Sequence, residues 1–178
     1  MVDKHEEITL PIVLSCNYQS AYPGQKQFDC GNPVIDKFVR ASLKKSVRNS
    51  DCAAKALIDR QSGELIGICT FTAYSLEKQR VSGVLQGSQP SEIGVVRLVM
   101  LGVARKYQKR GFGQDLLCDF FEHVKIIHQA LPIKGVYLDA DPAAINFYAR
   151  LGFVQLSATP NAFGAVPMFL AIQHILAA

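Results

Sequence analysis

The chain has 178 residues, 49% of them hydrophobic, and a formal net charge of +4. This length and apolar content predict one domain spanning residues 1–178, with a core large enough to form without disulfides or a metal. No apolar run reaches the roughly 20 residues needed to cross a bilayer, and the N-terminal MVDKHEEITL lacks an apolar signal core. We therefore expect a cytoplasmic protein with no membrane contact.

The cysteines and histidines do not form a metal-binding pattern. The five cysteines are widely scattered and include no CxxC pair, which is typical of buried thiols in a reducing compartment. The four histidines show no ligand spacing with those cysteines. The sequence therefore predicts no metal site.

The first half of the chain predicts a strand, a helix and a hairpin. Residues 10–16 (LPIVLSC) are typical of a short strand. A helix is predicted to begin after Asn32, which can cap it, with Pro33 in the first helical position, and to run to about Val47. Its predicted inner face consists of Ile35, Phe38, Val39 and Ser42.

Two strands, at residues 53–59 and 64–76, are predicted to form a hairpin through the tight turn RQSG at residues 60–63. Residues 81–92 are rich in Gly, Ser and Gln and predict a loop. Residues 93–104 predict a buried strand.

The second half alternates helices and strands. A helix with apolar residues at helical spacing is predicted to follow the glycines at 111 and 113. A strand is predicted at residues 135–140. A second helix would begin at Asp141 and Pro142 and end at Gly152, and a strand at residues 166–172 would follow it. This order predicts an α/β fold, a mixed sheet covered by helices on both faces.

The stretch QKRGFG, residues 108–113, places two glycines and two cations between a strand and a helix. A helix N-terminus carries unpaired N–H groups and a partial positive charge, and glycines allow a ligand close to the backbone. The stretch therefore predicts a diphosphate cradle, with an ordinary turn as the alternative. Neither the P-loop pattern GxxxxGK[ST] nor the dinucleotide pattern GxGxxG is present.

The pattern Gln108-x-x-Gly111-x-Gly113 resembles the coenzyme A loop, Q/R-x-x-G-x-G/A, of the GCN5-related N-acetyltransferase (GNAT) family. About thirty residues on, AAINFYARLGF resembles that family's second core motif. The resemblance implies the GNAT fold, in which the mixed central sheet is splayed at the cofactor strand. It also implies an acetyl-CoA-dependent N-acetyltransferase, which is an enzyme of the acyltransferase class.

The resemblance further implies where acetyl-CoA binds. The backbone of Leu101, Gly102 and Val103 would hold the pantetheine and the thioester carbonyl. Asn146 is a candidate to hydrogen-bond the cofactor arm, with plain surface exposure as the alternative. The residues implied to hold the diphosphate are Gln108, Lys109, Arg110, Gly111, Phe112 and Gly113.

Tyr148 is the implied catalytic residue, because the family pattern places a tyrosine near the departing sulfur. A phenol can give a proton to the thiolate; the alternative is an aromatic ring packed on the inner helix face. No general base is evident. Glu92, Asp139 and Asp141 are candidates by position only, and Asp141 is better explained as a helix cap. An α-amino group, with a pKa near 7.7 to 8.0, would need no base.

The segment QFDCGNPVIDKFV resembles the opening of one GNAT branch, the toxins of type II toxin–antitoxin modules. That resemblance implies acetylation of the α-amine of aminoacyl-tRNA, with isoleucyl-tRNA as one candidate acceptor, and arrest of translation. It also implies a ribbon-helix-helix antitoxin, a homodimer, and DNA contact only through the antitoxin. Met100 departs from the branch, which often carries an arginine there, and Arg97 cannot be assumed to replace it.

Charge gives limited support for an RNA substrate. Two basic clusters are predicted, and both also have ordinary explanations, as a solvated helix face and as a coenzyme A contact. Other readings stay open: a GNAT acting on a small amine, a polyamine or a protein N-terminus, and a non-catalytic regulator that binds coenzyme A. The two clusters are Lys37, Arg40, Lys44, Lys45 and Arg48, and Arg105, Lys106, Lys109 and Arg110.

Overall fold

The computed structural model describes residues 11–178. They form one seven-stranded sheet in the order β1-β2-β3-β4-β5-β7-β6, flanked by α-helices and short 3-10 turns. The strands are β1 Val13–Asn17, β2 Ala53–Asp59, β3 Leu65–Glu77, β4 Glu92–Val103, β5 Gly135–Ala140, β6 Val154–Gln155 and β7 Val166–Ala171. The helices are α1 Pro33–Ala41, α2 Leu43–Arg48, α3 Phe112–Ala130, α4 Ile145–Arg150 and α5 Ile172–Ala177.

The sheet is mixed. Strands β1 to β4 pair antiparallel in sequence order, β4 and β5 pair parallel, and β7 pairs antiparallel with both β5 and β6. Because parallel neighbours need a crossover, α3 connects β4 to β5. The predicted mixed α/β fold is confirmed.

Helices cover both faces of the sheet. The buried side of α3, including Leu116, Phe120 and Val124, packs into one apolar cluster with α4 and α5. On the opposite face Val39 of α1 and Leu43 of α2 pack into a second cluster. Within residues 11–178, no α-helix has both the length and the apolar character needed to cross a bilayer.

The sheet opens between β4 and β5. These strands pair only at Val96 with Val136 and at Arg97 with Tyr137, and they separate beyond that point. Strand β4 also carries a bulge at Val99, since Thr70 pairs with Met100 while Phe71 pairs with Leu98. The predicted splay at the cofactor strand is therefore present, and the bulge lies at its start, a frequent place for bulges beside functional sites.

The bulge decides which side chains of β4 face which helix. Leu98 and Leu101 are three residues apart, yet both contact the α3 cluster, because one extra residue has reversed the alternation. Gly102 then faces α1. A Cβ at Gly102 would lie 3.0 Å from Ile35 Cγ2 and 3.2 Å from Cys30 Sγ, so any larger residue would push these side chains back by a few tenths of an ångström. Glycine thus allows the close approach of α1.

Several predicted bounds are confirmed, and others are wrong. Strands β2 and β5 match the prediction, and β2 and β3 form the predicted hairpin; Leu10, in the predicted first strand, lies outside the described residues. The first helix begins with Asn32 capping Val34 and Ile35, as predicted, but it breaks at Ser42. The break shifts the helical phase, so Leu43 is buried and Ser42 is exposed.

The C-terminal segments also differ from the prediction. A single 3-10 turn, Pro142–Ala144, precedes α4, and Asp141 caps that turn. Strand β7 ends at Ala171, one residue before the predicted bound, and Ile172–Ala177 form the short helix α5. The thiols were predicted to be buried, but only Cys69 is, and Cys118 is exposed.

Candidate active site

A cavity of about 740 Å³ occupies the opening between β4 and β5. Its walls come from four parts of the chain: the end of β4, the start of α1, the segment from β5 into α4, and the loop before β7. It includes Tyr148 and the predicted strand positions Leu101, Gly102 and Val103, together with Gln108. The splay of the sheet thus forms the site, as expected where a parallel strand pair separates.

Tyr148 lies on α4 with only 9% of its surface exposed, and it lines this cavity. Its ring packs edge-on against Phe147 and Phe153 at centroid distances of 5.1 and 5.6 Å. Burial raises the pKa of Tyr148 above the ordinary phenol value, with a smaller contribution from Cys69. The phenol is therefore neutral at physiological pH and keeps the proton that a departing thiolate would need.

The loop between β4 and α3 presents unpaired amides. Within residues 11–178, the N–H groups of residues 109–113 donate to no backbone or side-chain acceptor, whereas Gln114 N–H donates to Gly111 O at 2.8 Å. Lys109 and Gly111 have positive φ of 60° and 88°. Alternation of such conformations turns successive N–H groups to one side and forms an anion-binding concavity. Within the described chain, nothing lies within 4 Å of where a Cβ on Gly111 would be.

These amides open onto a second cavity of about 420 Å³. It shares Val103 and Gln108 with the larger cavity, so the two adjoin. Lys109, Gly111, Phe112 and Gly113 line it, while Arg110 is half-buried and belongs to the lining of neither cavity. The amides and the partial positive charge of the 19-residue helix α3 suit a diphosphate.

Gln108 has a role that the sequence did not predict. Its Nε2 donates to Cys30 O at 2.7 Å and to Val103 O at 2.8 Å. The side chain therefore ties the segment before α1 to the end of β4, at the junction of the two cavities. Asn146 is exposed on α4 and is not among the residues that line either cavity.

The three acidic candidates occupy different places. Asp139 lines the larger cavity, but its Oδ2 accepts from Arg97 Nη2 at 2.8 Å and its Oδ1 accepts from Tyr137 OH at 2.8 Å. Asp141 also lines the cavity and accepts from Ala143 N, as a cap does. Glu92 accepts from Ser75 at the far end of β4 and is not among the cavity-lining residues.

Met100 lines the larger cavity, and Arg97 does not. Arg97 lies over the rings of Tyr74 and Tyr137 and reaches the cavity only through its ion pair with Asp139. Arg97 therefore does not take the place of an arginine at position 100.

The two basic clusters also differ. All five cations of the α1–α2 cluster are exposed. In the second cluster, Arg105 pairs with Asp29 and Lys106 pairs with Glu64, so half of its charge is neutralised locally. The α1–α2 cluster is thus the larger free positive surface.

Several lining residues were missed from the sequence. Val34, Val99 and Phe163 line the larger cavity, and Gln114 and Arg150 line the smaller one. They come from distant segments, and no spacing rule joins them. Within residues 11–178, no group of three or more His, Cys, Asp or Glu residues could hold a metal ion.

The fold and this site define an acetyltransferase. The chain belongs to the GNAT acetyltransferase family: the family model for the acetyltransferase (GNAT) domain matches residues 54–155, more than half of the chain. This confirms the predicted family and enzyme class. Acetyl-CoA is the acetyl donor of this family, and the unpaired amides fit its diphosphate.

Several proteins that are similar to this chain are bacterial toxins. A bacterial toxin with a known crystal structure is 97% identical to this chain in sequence, with a TM-score of 0.93. The match covers 94% of this chain and 95% of that one. A tRNA-acetylating toxin from Mycobacterium tuberculosis is 23% identical, over 71% of this chain and 75% of its own length. The toxin AtaT, solved in complex with acetyl-methionyl-tRNAfMet, is 22% identical with a TM-score of 0.78, over 93% and 98% of the two chains.

Proposed function

We propose that this acetyltransferase moves the acetyl group of acetyl-CoA to the α-amino group of an aminoacyl-tRNA, and so acts as a toxin that blocks translation. The observation that carries the proposal is the adjoining pair of cavities, which leads from the unpaired amides of residues 109–113 past Tyr148 to the start of α1. The likeness to a bacterial toxin, to a tRNA-acetylating toxin and to AtaT with an acetylated tRNA supports it. Isoleucyl-tRNA remains one candidate acceptor.

Each predicted residue has a role in this proposal. The amides of residues 109–113 hold the diphosphate, and Lys109 and Arg110 add positive charge around it. The Gln108 N–H, which the sequence placed with them, already donates to Arg105 O at 3.2 Å. The backbone of Leu101, Gly102 and Val103 holds the arm and polarises the thioester carbonyl, which lowers the barrier to amine attack. Tyr148 gives its proton to the sulfur as it leaves. Asn146, being exposed, is the least supported contact.

The acceptor amine needs no protein base in this scheme. An α-amine with a pKa of 7.7 to 8.0 is partly neutral at physiological pH. Asp139 and Asp141 already accept hydrogen bonds from other groups in the site. Neither carboxylate is therefore needed to explain attack on the thioester.

The remaining parts of the proposal concern assembly and location. We propose that residues 1–178 act as one acetyltransferase domain, since strands between residues 13 and 171 join one sheet. We further propose a cytoplasmic homodimer that pairs with a ribbon-helix-helix antitoxin, with DNA contacted only through the antitoxin. The exposed cations of α1 and α2 would contact the tRNA backbone.

The test combines labelled acetyl-CoA with three pools: charged tRNA, deacylated tRNA and total cell protein. We expect label on charged tRNA only, and loss of that label on mild hydrolysis of the aminoacyl ester. Induction of the gene in growing cells should stop protein synthesis. Label on protein or on small amines, with growth unaffected, would instead support a GNAT of another substrate class.

A further inference from the structure

Three exposed apolar side chains converge on the larger cavity. Val34 is 68% exposed, Val99 is 43% exposed and Phe163 is 94% exposed, and all three line it, together with the half-buried Met100. Single exposed apolar residues are ordinary on a protein surface. Their convergence from α1, from the β4 bulge and from the loop before β7 onto one concave surface is typical of a binding site.

The backbone that carries Phe163 is held in place although its side chain is exposed. Its own N–H donates to Asn161 Oδ1 at 2.9 Å, and Ala165 N–H donates to the same oxygen at 3.1 Å. Asn161 Nδ2 in turn donates to Asp139 Oδ1 at 3.2 Å, and Asp139 is fixed by its ion pair with Arg97. The loop is therefore preorganised, which reduces the entropy lost when a ligand covers the ring.

These side chains lie away from the diphosphate cradle. None of the four lines the smaller cavity, onto which the unpaired amides open. Val99 precedes Val103 by four residues on β4, which is on the order of 13 Å along a strand. They therefore surround the end of the larger cavity from which an acceptor would approach.

The chemistry of this end disfavours phosphate. Among residues 11–178, no lysine or arginine lines the larger cavity, and the two carboxylates that do, Asp139 and Asp141, already accept hydrogen bonds from other groups. The exposed cations of α1 begin at Lys37, one helical turn beyond Val34. Phosphates would thus bind outside the cavity, and the uncharged end of the acceptor would enter it.

We propose that Val34, Val99, Met100 and Phe163 form the subsite for the aminoacyl side chain, and that this subsite selects tRNAs charged with an apolar amino acid. The inference rests on the proposed function. Filling an apolar pocket changes enzyme specificity by about 10- to 200-fold per methylene. Isoleucyl-, valyl- or methionyl-tRNA should therefore be acetylated at least about tenfold more efficiently than glycyl-, seryl- or aspartyl-tRNA.

The experiment measures kcat/KM of the full chain on this panel of six purified aminoacyl-tRNAs. Phe163→Ala and Val34→Ser should lower kcat/KM on the apolar members by about tenfold more than on glycyl-tRNA. Both residues are exposed, so neither change removes core packing. Ile126→Ala is the matched control, because Ile126 is 60% exposed on α3 and is not among the residues lining either cavity.

The outcomes separate this inference from the proposed function. Equal efficiency on glycyl- and isoleucyl-tRNA would overturn the subsite while leaving tRNA acetylation intact. So would a Phe163→Ala loss of equal size on all six substrates, which would point to stacking on their shared terminal base. Absence of label from every charged tRNA would overturn the proposed function and the subsite together.

Discussion

At the proposed cofactor end of the site the chain presents backbone, whereas at the proposed acceptor end it presents side chains. The amides of residues 109–113 form the cofactor end from one short segment. Val34, Met100 and Phe163, from three separate segments, line the acceptor end. Amino-acid substitutions leave backbone contacts largely unchanged, so a site made of backbone keeps its ligand. Substitutions alter side-chain contacts directly, so a site made of side chains can change its ligand. The acceptor end is thus where specificity can vary.

Tyr148, between the two ends, should show the largest effect. Tyr148→Phe removes the proton donor, so we expect kcat to fall by about 10²- to 10⁴-fold. Because the ring still packs against Phe147 and Phe153, stability and acetyl-CoA affinity should change little. Single-turnover kinetics and calorimetry with coenzyme A measure the two quantities. A variant of normal rate would place the proton donor elsewhere.

The cofactor end is tested by Gly111→Glu. A carboxylate in the cradle would repel the diphosphate, and the positive φ of 88° would be strained. We expect acetyl-CoA binding to weaken by about 100-fold, which corresponds to about 2.7 kcal/mol lost through repulsion and strain together.

Gly87→Glu is the matched control for that variant. Gly87 has a similar φ of 77°, and the position of its missing Cβ is equally open, but it lies in the loop before β4. It should carry the same strain and the same added charge without loss of binding. Equal losses in both variants would mean that strain or net charge, and not the cradle, decides the affinity.

The pH dependence of the rate reports the titration of two groups, the α-amine of the acceptor and the proton donor Tyr148. The rate should rise with pH as the α-amine loses its proton, by about sevenfold between pH 7 and 9 for a pKa near 7.8. An acid acts while it is protonated, and burial raises the pKa of Tyr148 above its ordinary value. We therefore expect no descending limb below about pH 10. A fall in initial rate near pH 8 or 9 would implicate another group.

Gln108, which joins the two ends, should give the smallest effect. Gln108→Ala removes donors to Cys30 O and Val103 O. We expect the free energy of unfolding to fall by about 1–2 kcal/mol, since each hydrogen bond contributes about 1 kcal/mol. The KM values of both substrates should rise a few-fold. Gln173→Ala, at an exposed site on α5, should change neither chemical denaturation nor KM; equal effects in both would remove the linking role.

The elements that local sequence specifies were predicted best. The hairpin β2–β3 follows from two apolar runs joined by a tight turn, and β5 from a short apolar run. The break at Ser42 was missed because propensity favours a continuous helix there, while packing against the sheet buries Leu43 instead. The β4 bulge was missed for a similar reason: an apolar strand carries no local mark of an extra residue.

The sequence by itself determined the GNAT family and the position of the unpaired amides, because both depend on residues that are neighbours in the chain. Gly111, Gly113 and the helix that begins between them, at Phe112, specify free amides wherever that helix lies. Only the tertiary structure decided the acceptor end. Phe163 and Val34 meet there because the sheet splays and β4 bulges, and these are consequences of packing over the whole sheet rather than of any local pattern.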